Sequence, residues 1–249
     1  MSATPFHYIA HLVAVPVRVN GVDASFVIDS GIGLTLLSQS LADRAGCTTT
    51  GATFTGQRMS GQAVTTPLAT LSSIRFGELE LRDHTVGVFD LDGLPESIDG
   101  FLSLAFFAES PFTVDYTRSE VRLGSCEGIA VDVEVEFDGP AVTAFVPLTL
   151  PDGQVVRVEV DMGSDSLILD DAFAQGELRT VEGTDETGHS YVRRFGTLPG
   201  RVSLAPDLWQ DDPKVMFQDI RYDGLIGDDF LRRHTVTFDI PGSRMVFSR

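Results

Sequence analysis

Several things are scarce in this chain, and each scarcity excludes something. Among 249 residues there is one Trp, one Lys (Lys214) and two Cys. Lys and Arg number 18 against 36 Asp and Glu, a net charge of −18. Such a balance argues against a nucleic-acid partner or an anionic membrane surface. Cys47 and Cys126 form no CxxC and no metal spacing, so free, reduced thiols are expected. The five His residues include no HExxH or other ligand pair, and no GxSxG occurs. Gly31-Ile32-Gly33 lacks the further Gly and the Lys of a phosphate loop. No apolar run is long enough to span a membrane; Tyr8 to Val17 is short and broken by His11. Met1 to His7 has no basic n-region, so a cytoplasmic protein is expected.

What is present reads as mainly β. The apolar runs are short and Val-rich, strong helix periodicity is rare, and Gly and Pro are scattered. A chain of this length can bury the core of one large domain or of two lobes. Asn20-Gly21 marks a hairpin, followed by Phe26-Val27-Ile28 running into Asp29-Ser30-Gly31. Ionising an acid at the end of such an apolar strand is costly unless the charge is paired or hydrogen-bonded. Ser38 or Ser40 suits the N-cap of a short helix over 41–45, which Gly46 would end. Thr53 to Thr66 reads as a mobile hairpin whose tip is Met59-Ser60-Gly61-Gln62. Asp99-Gly100-Phe101-Leu102-Ser103-Leu104 is a later short apolar run, and a closing hairpin follows at 112–123.

The second half repeats this order. Val158-Glu159-Val160-Asp161-Met162-Gly163 answers the first acid, and Asp170 stands nine residues past Asp161 as Ser38 does past Asp29. Asp223-Gly224-Leu225-Ile226-Gly227 answers the late run. An Asp follows sixteen residues later in both halves, Asp115 after Asp99 and Asp239 after Asp223. Two units are therefore expected, 1–127 and 128–249, with a hinge near 126–129.

Apolar-apolar-Asp-Ser-Gly, the late apolar segment and the duplication resemble the aspartic peptidases. The likeness is to bacterial retropepsin-type units, here two in tandem in one chain. It implies a two-lobed pepsin/retropepsin-like acid protease fold, with the site between the lobes and no metal or organic cofactor. By that resemblance Asp29 and Asp161 are the catalytic dyad. Ser30, Gly31, Gly163 and Ser164 support it. Met59, Ser60 and Gly61 form one substrate-covering flap, and Gly188 and His189 a second. The implied activity is endopeptidase action on extended peptides with apolar side chains near the scissile bond, at acidic to mildly acidic pH. The implied partner is a peptide or protein substrate, with neither nucleic acid nor membrane, and the implied state a monomer with an internal pseudo-dimer.

Two residues depart from the pattern. Met162 stands where a second Ser/Thr would lock the turns together, and Ser103 stands where Gly227 stands in the other half. They favour the alternative, a weak or inactive homologue that binds peptides. Restoring the hydroxyl with Met162→Thr is expected to raise rate or stability. Ser164, three residues past Asp161, offers a hydroxyl to that acid, whereas Ile32 offers none to Asp29. Hydrogen bonds favour the charged form, so Asp161 is expected to be the ionised member and Asp29 the protonated one.

Overall fold

A computed structural model describes residues 3–90, 97–184 and 190–248. The chain is mainly β and folds into two lobes joined by a common sheet. An eight-stranded sheet is built from the first half and a ten-stranded sheet from the second. A six-stranded sheet takes strands from both: Ala3–Pro5, Glu120–Leu123, Phe112–Asp115, Thr235–Asp239, Arg244–Ser248 and Ile129–Asp132, in that spatial order.

The strand Val22–Ile28 begins half-exposed and ends in three fully buried residues, because a strand covered on both faces needs apolar side chains on both. Phe26 and Ile28 enter the main core, while Val27 packs on the other face with Ile98 and Phe101. Its parallel neighbour is Gly100–Leu102, with Phe26 opposite Gly100 and Ile28 opposite Leu102. Gly100–Leu102 also runs antiparallel to Leu36–Ser38, which in turn lies parallel to Leu79–Phe89. The second half has the same pairings. Val155–Val160 lies parallel to Gly224–Ile226, which runs antiparallel to Leu167–Asp170, itself parallel to Lys214–Gln218.

Matched acids hold these arrangements. The Asp99 carboxylate accepts from the Ser25 N–H at 3.0 Å, and that of Asp223 from the Arg157 N–H at 2.8 Å. Each acceptor therefore ties the late segment to a backbone donor four residues before a strand-end acid. Asp115 and Asp239 close turns, through the N–H of Arg118 and of Gly242. Ser38 caps the helix Gln39–Arg44 by accepting from the Leu41 N–H, and Asp170 caps a 3-10 turn by accepting from Ala172.

In the shared sheet Thr113 faces Thr237, and their buried hydroxyls hydrogen-bond at 2.7 Å. Phe112 stacks on Phe238 with ring centroids 4.9 Å apart. The stretch around His11 forms two strands, His7–Ile9 and Leu12–Val19, broken at Ala10 with φ of 56°. Both cysteines are free thiols. No helix among the described residues is long and apolar enough to cross a membrane.

Candidate active site

Asp29 and Asp161 each follow the last residue of a buried strand, and each is fixed by its own N–H. Asp29 donates to the Leu102 carbonyl at 2.9 Å and Asp161 to the Ile226 carbonyl at 3.0 Å. The chain then turns sharply. The Gly31 N–H donates back to the Asp29 carboxyl at 2.9 Å, and the Gly163 N–H to the Asp161 carboxyl at 2.8 Å. The two turns face one another so closely that each acid lies over the other's glycine. A Cβ on Gly31 would stand 2.5 Å from Asp161 Cγ, and one on Gly163 2.6 Å from an Asp29 carboxyl oxygen. Glycine is required here for approach, not for an unusual backbone angle.

The two carboxyls hydrogen-bond directly to each other. Burial pushes both pKa values up, because the charged form loses its water. Asp29 is raised further, first by the negative charge of Asp161 and, where Glu159 is ionised, by that carboxylate as well. Asp161 is held back by the N–H of Gly163, by its bond to Asp29, by the N–H of Ser164 and by the nearby His11. Of the two, Asp29 is pushed up further. The hydroxyl expected to serve Asp161 is engaged elsewhere. Ser164 Oγ donates to the Ser166 carbonyl, and it is the Ser164 backbone that favours the Asp161 anion.

Ser30 is fully buried and works in both directions across the lobes. Its hydroxyl donates to the Val160 carbonyl at 2.7 Å and accepts from the Met162 N–H at 2.9 Å. The Met162 side chain lies in the hydrophobic core, and no reciprocal bond leaves it. Ser103, the other departure, also has a local purpose. It bonds Thr35 at 3.2 Å and caps the 3-10 turn Leu104–Phe107 by accepting from the Ala105 N–H. At Gly227 any Cβ would meet the Ser164 and Ser166 carbonyls at 2.6 Å, so the two halves solve one corner differently.

A cleft of about 740 Å³ opens over the acids, lined among others by Met59, Phe145, Glu159 and Tyr222. A side chamber of about 320 Å³ lies against the first lobe, lined by Ile32, Leu34, Leu36, Phe54 and Phe101. The hairpin of Thr48–Gln57 and Ala63–Phe76 reaches across this cleft. Its tip turns at Gly61, with φ of 80°, and Ser60 lines the cleft beside Met59. The Met59 carbonyl accepts from the Arg221 N–H of the opposite lobe at 3.0 Å. The Met59 side chain packs on Ile168, Met216, Ile220 and Leu225. For the second hairpin, the arms Arg179–Thr184 and Ser190–Thr197 pair, and Tyr191 lines the cleft. Gly188 and His189 lie outside the described residues.

Three neighbours of the acids escape motif reading. His11 hydrogen-bonds the Gly163 carbonyl through Nε2 at 3.0 Å. Glu159 receives the Tyr222 hydroxyl in a very short hydrogen bond, and both line the cleft. Parity carries a signal for Glu159: two residues before Asp161, it projects from the same face of the strand. For His11 and Tyr222 the signal is tertiary, with partners 152 and 63 positions away.

No curated protein matches this chain. Residues 15–106 match the family model described as Aspartyl protease, a stretch that holds Asp29-Ser30-Gly31 and the late run at Gly100–Leu102. That stretch of the first half is thus similar to the aspartyl proteases, and the fold around it is β-rich and two-lobed.

Proposed function

We propose that the chain is a single-chain aspartic endopeptidase, with Asp29 and Asp161 as its dyad and units 1–127 and 128–249 as its two halves. The observation that carries this is the hydrogen-bonded pair of buried strand-end carboxyls, each seated on the other's glycine. Two close carboxyls share one proton, since both cannot ionise together. One acid and one base are then available at the same pH.

In the proposed reaction a water bound between the acids attacks the peptide carbonyl carbon. Asp161 takes a proton from that water while Asp29 gives its proton to the carbonyl oxygen, leaving a neutral gem-diol. Collapse breaks the C–N bond. Asp161 passes its proton to the departing nitrogen, and one diol proton returns to Asp29, which restores the starting state. Ser30 holds the turns at working distance. The Met59-Ser60-Gly61 tip would cover an extended peptide and keep bulk water out. The working form is a monomer whose halves act as a pseudo-dimer.

Met162 favours a second reading, a peptide-binding homologue of little activity, because one half of the cross-lobe lock is missing. A diverse peptide library incubated from about pH 3 to 7 separates the two. Cleavage that is blocked by pepstatin and lost in both Asp29→Asn and Asp161→Asn supports the endopeptidase. Binding without cleavage at any pH supports the other.

A further inference from the structure

We infer that the second-lobe side of the cleft receives a cationic side chain of the substrate, Lys or Arg, and that Glu159 is the residue that selects it. The inference rests on the endopeptidase reading and names its substrate class: peptides with an apolar residue on one side of the scissile bond and a basic residue on the other.

Glu159 stands two residues before Asp161, so the two carboxyls project toward the same cleft. The side chain is 7% exposed and makes no ion pair among the described residues. Arg157, the nearest cation on its own strand, is already committed. It pairs with Glu134 and Glu136, and its guanidinium lies 3.4 Å from the centre of the Phe145 ring. What Glu159 has is one neutral partner, the Tyr222 hydroxyl, and Tyr222 in turn meets Phe145 edge-on at 5.8 Å. A buried carboxyl without a cation is a costly group, and this one opens on a substrate cleft. An incoming ammonium or guanidinium would supply the missing charge, and the Tyr222 ring suits a cation as well. The net charge of −18 adds a general attraction for basic peptides.

The first lobe offers the contrast. Val27, two residues before Asp29, is buried against Ile98 and Phe101, and the side chamber beside it is lined mostly by aliphatic and aromatic residues, with Gln57, Arg58 and Thr66 among them. The two sides of the dyad thus differ: the first is largely apolar, while the second is charged, with Glu136 and Glu159 alongside Arg157, Arg193 and Arg221.

Burial, with the charges of Asp161 and Glu136, pushes Glu159 up to about 8 against the opposing pulls of Tyr222 and Arg157. The other charged groups about it are Asp29, whose own pKa it raises, and Arg221, which acts on Tyr222. Free protein near neutral pH therefore carries a proton on Glu159, and a substrate cation displaces it.

The test uses paired peptides that differ in one side chain, Lys against norleucine and Arg against citrulline, on each side of the scissile bond. Wild-type protein is expected to favour the basic member at one position by about tenfold or more in kcat/KM. Glu159→Gln is expected to bring that ratio near one while the norleucine peptide is still cleaved. Calorimetry on the Asp29→Asn variant, in two buffers of different ionisation enthalpy, should show proton release with the Lys peptide and none with norleucine. Absence of preference in the wild type, or a preference that survives Glu159→Gln, overturns the inference. If nothing is cleaved but the Lys peptide binds tighter and releases a proton, the endopeptidase reading fails and the cation subsite stands. If neither peptide is cleaved or bound, both fail.

Discussion

His11 donates from Nε2 to the carbonyl oxygen of Gly163 at 3.0 Å, and so joins the first lobe to the turn that carries the second acid. A carbonyl only accepts, so that nitrogen carries a hydrogen. With the two bonds of Ser30 this makes three side-chain links onto the 160–163 segment, all from first-lobe residues. The missing hydroxyl at Met162 is thereby offset from one side. His11→Ala is expected to lower kcat/KM about tenfold, equivalent to about 1.4 kcal/mol of lost positioning. His11→Gln, whose amide nitrogen can occupy the Nε2 position, should recover most of that. Kinetics of both variants on one cleaved peptide check this, and equal rates for the Ala variant and wild type would remove His11 from the lock.

Ser30→Ala strands a carbonyl at Val160 and an N–H at Met162, both deep between the lobes. Each unpartnered buried group costs about 1–3 kcal/mol. The variant should lose at least about 2 kcal/mol in urea unfolding and should lose activity with it.

Met162→Thr reverses the expectation drawn from sequence. Met162 is 2% exposed and part of the main core, so shortening it leaves a cavity. A net loss of about 1–3 kcal/mol is expected, measurable as a lower denaturant midpoint. A gain in stability would mean that the new hydroxyl outweighs the lost packing.

The hairpin tip is closed on the opposite lobe by the Met59 carbonyl and side chain. Replacing Met59 with Ser removes the apolar anchor and leaves the backbone bond. Hydrogen exchange at the Arg221 amide, which donates to that carbonyl, should then accelerate by about tenfold or more. Unchanged protection would show that the anchor does not hold the tip.

Stability should fall as pH rises from about 4 to 8. Glu159 ordinarily ionises near 4.5 but is pushed up to about 8 by burial. Asp228, whose burial outweighs the Arg232 guanidinium 3.7 Å away, moves from 3.8 to about 6. Across these windows the unfolded chain has lost the protons and the folded chain still holds them. The folded state binds more protons, so its stability declines toward alkaline pH. In Glu159→Gln the slope between pH 5 and 8 should flatten, and the variant should gain on wild type at pH 8. Urea unfolding at both pH values measures this, and equal slopes would argue that Glu159 ionises normally.

Local and repeated features were legible in the sequence. The acids at 29 and 161, the glycines two residues on and the hairpin tip at 59–61 each sit in a short pattern that occurs twice or has strong turn chemistry. Contacts made at long range were not. His11 reads as a break in a strand until its partner appears across the lobes. Ser103 reads as a lapse from Gly until Thr35 and Ala105 are beside it. Glu134–Asp138 is charge-rich and largely exposed, so its pairing with Ala141–Thr149 leaves little apolar alternation to read. Glu159 was visible by parity alone, but an acid inside a Val-rich strand becomes informative only once the cleft gives it a side to face.

The shared sheet places Phe112–Asp115 directly beside Thr235–Asp239. During synthesis the first of these strands leaves the ribosome about 120 residues ahead of its neighbour. At about 5–20 residues per second that is a wait on the order of ten seconds with one strand edge open. A nascent first half thus presents an unpaired row of backbone groups beside Phe112, the kind of edge to which a second nascent chain can add. Slow translation of the second half, or a stop within it, is therefore expected to show as aggregation of the first half rather than as a smaller soluble fragment.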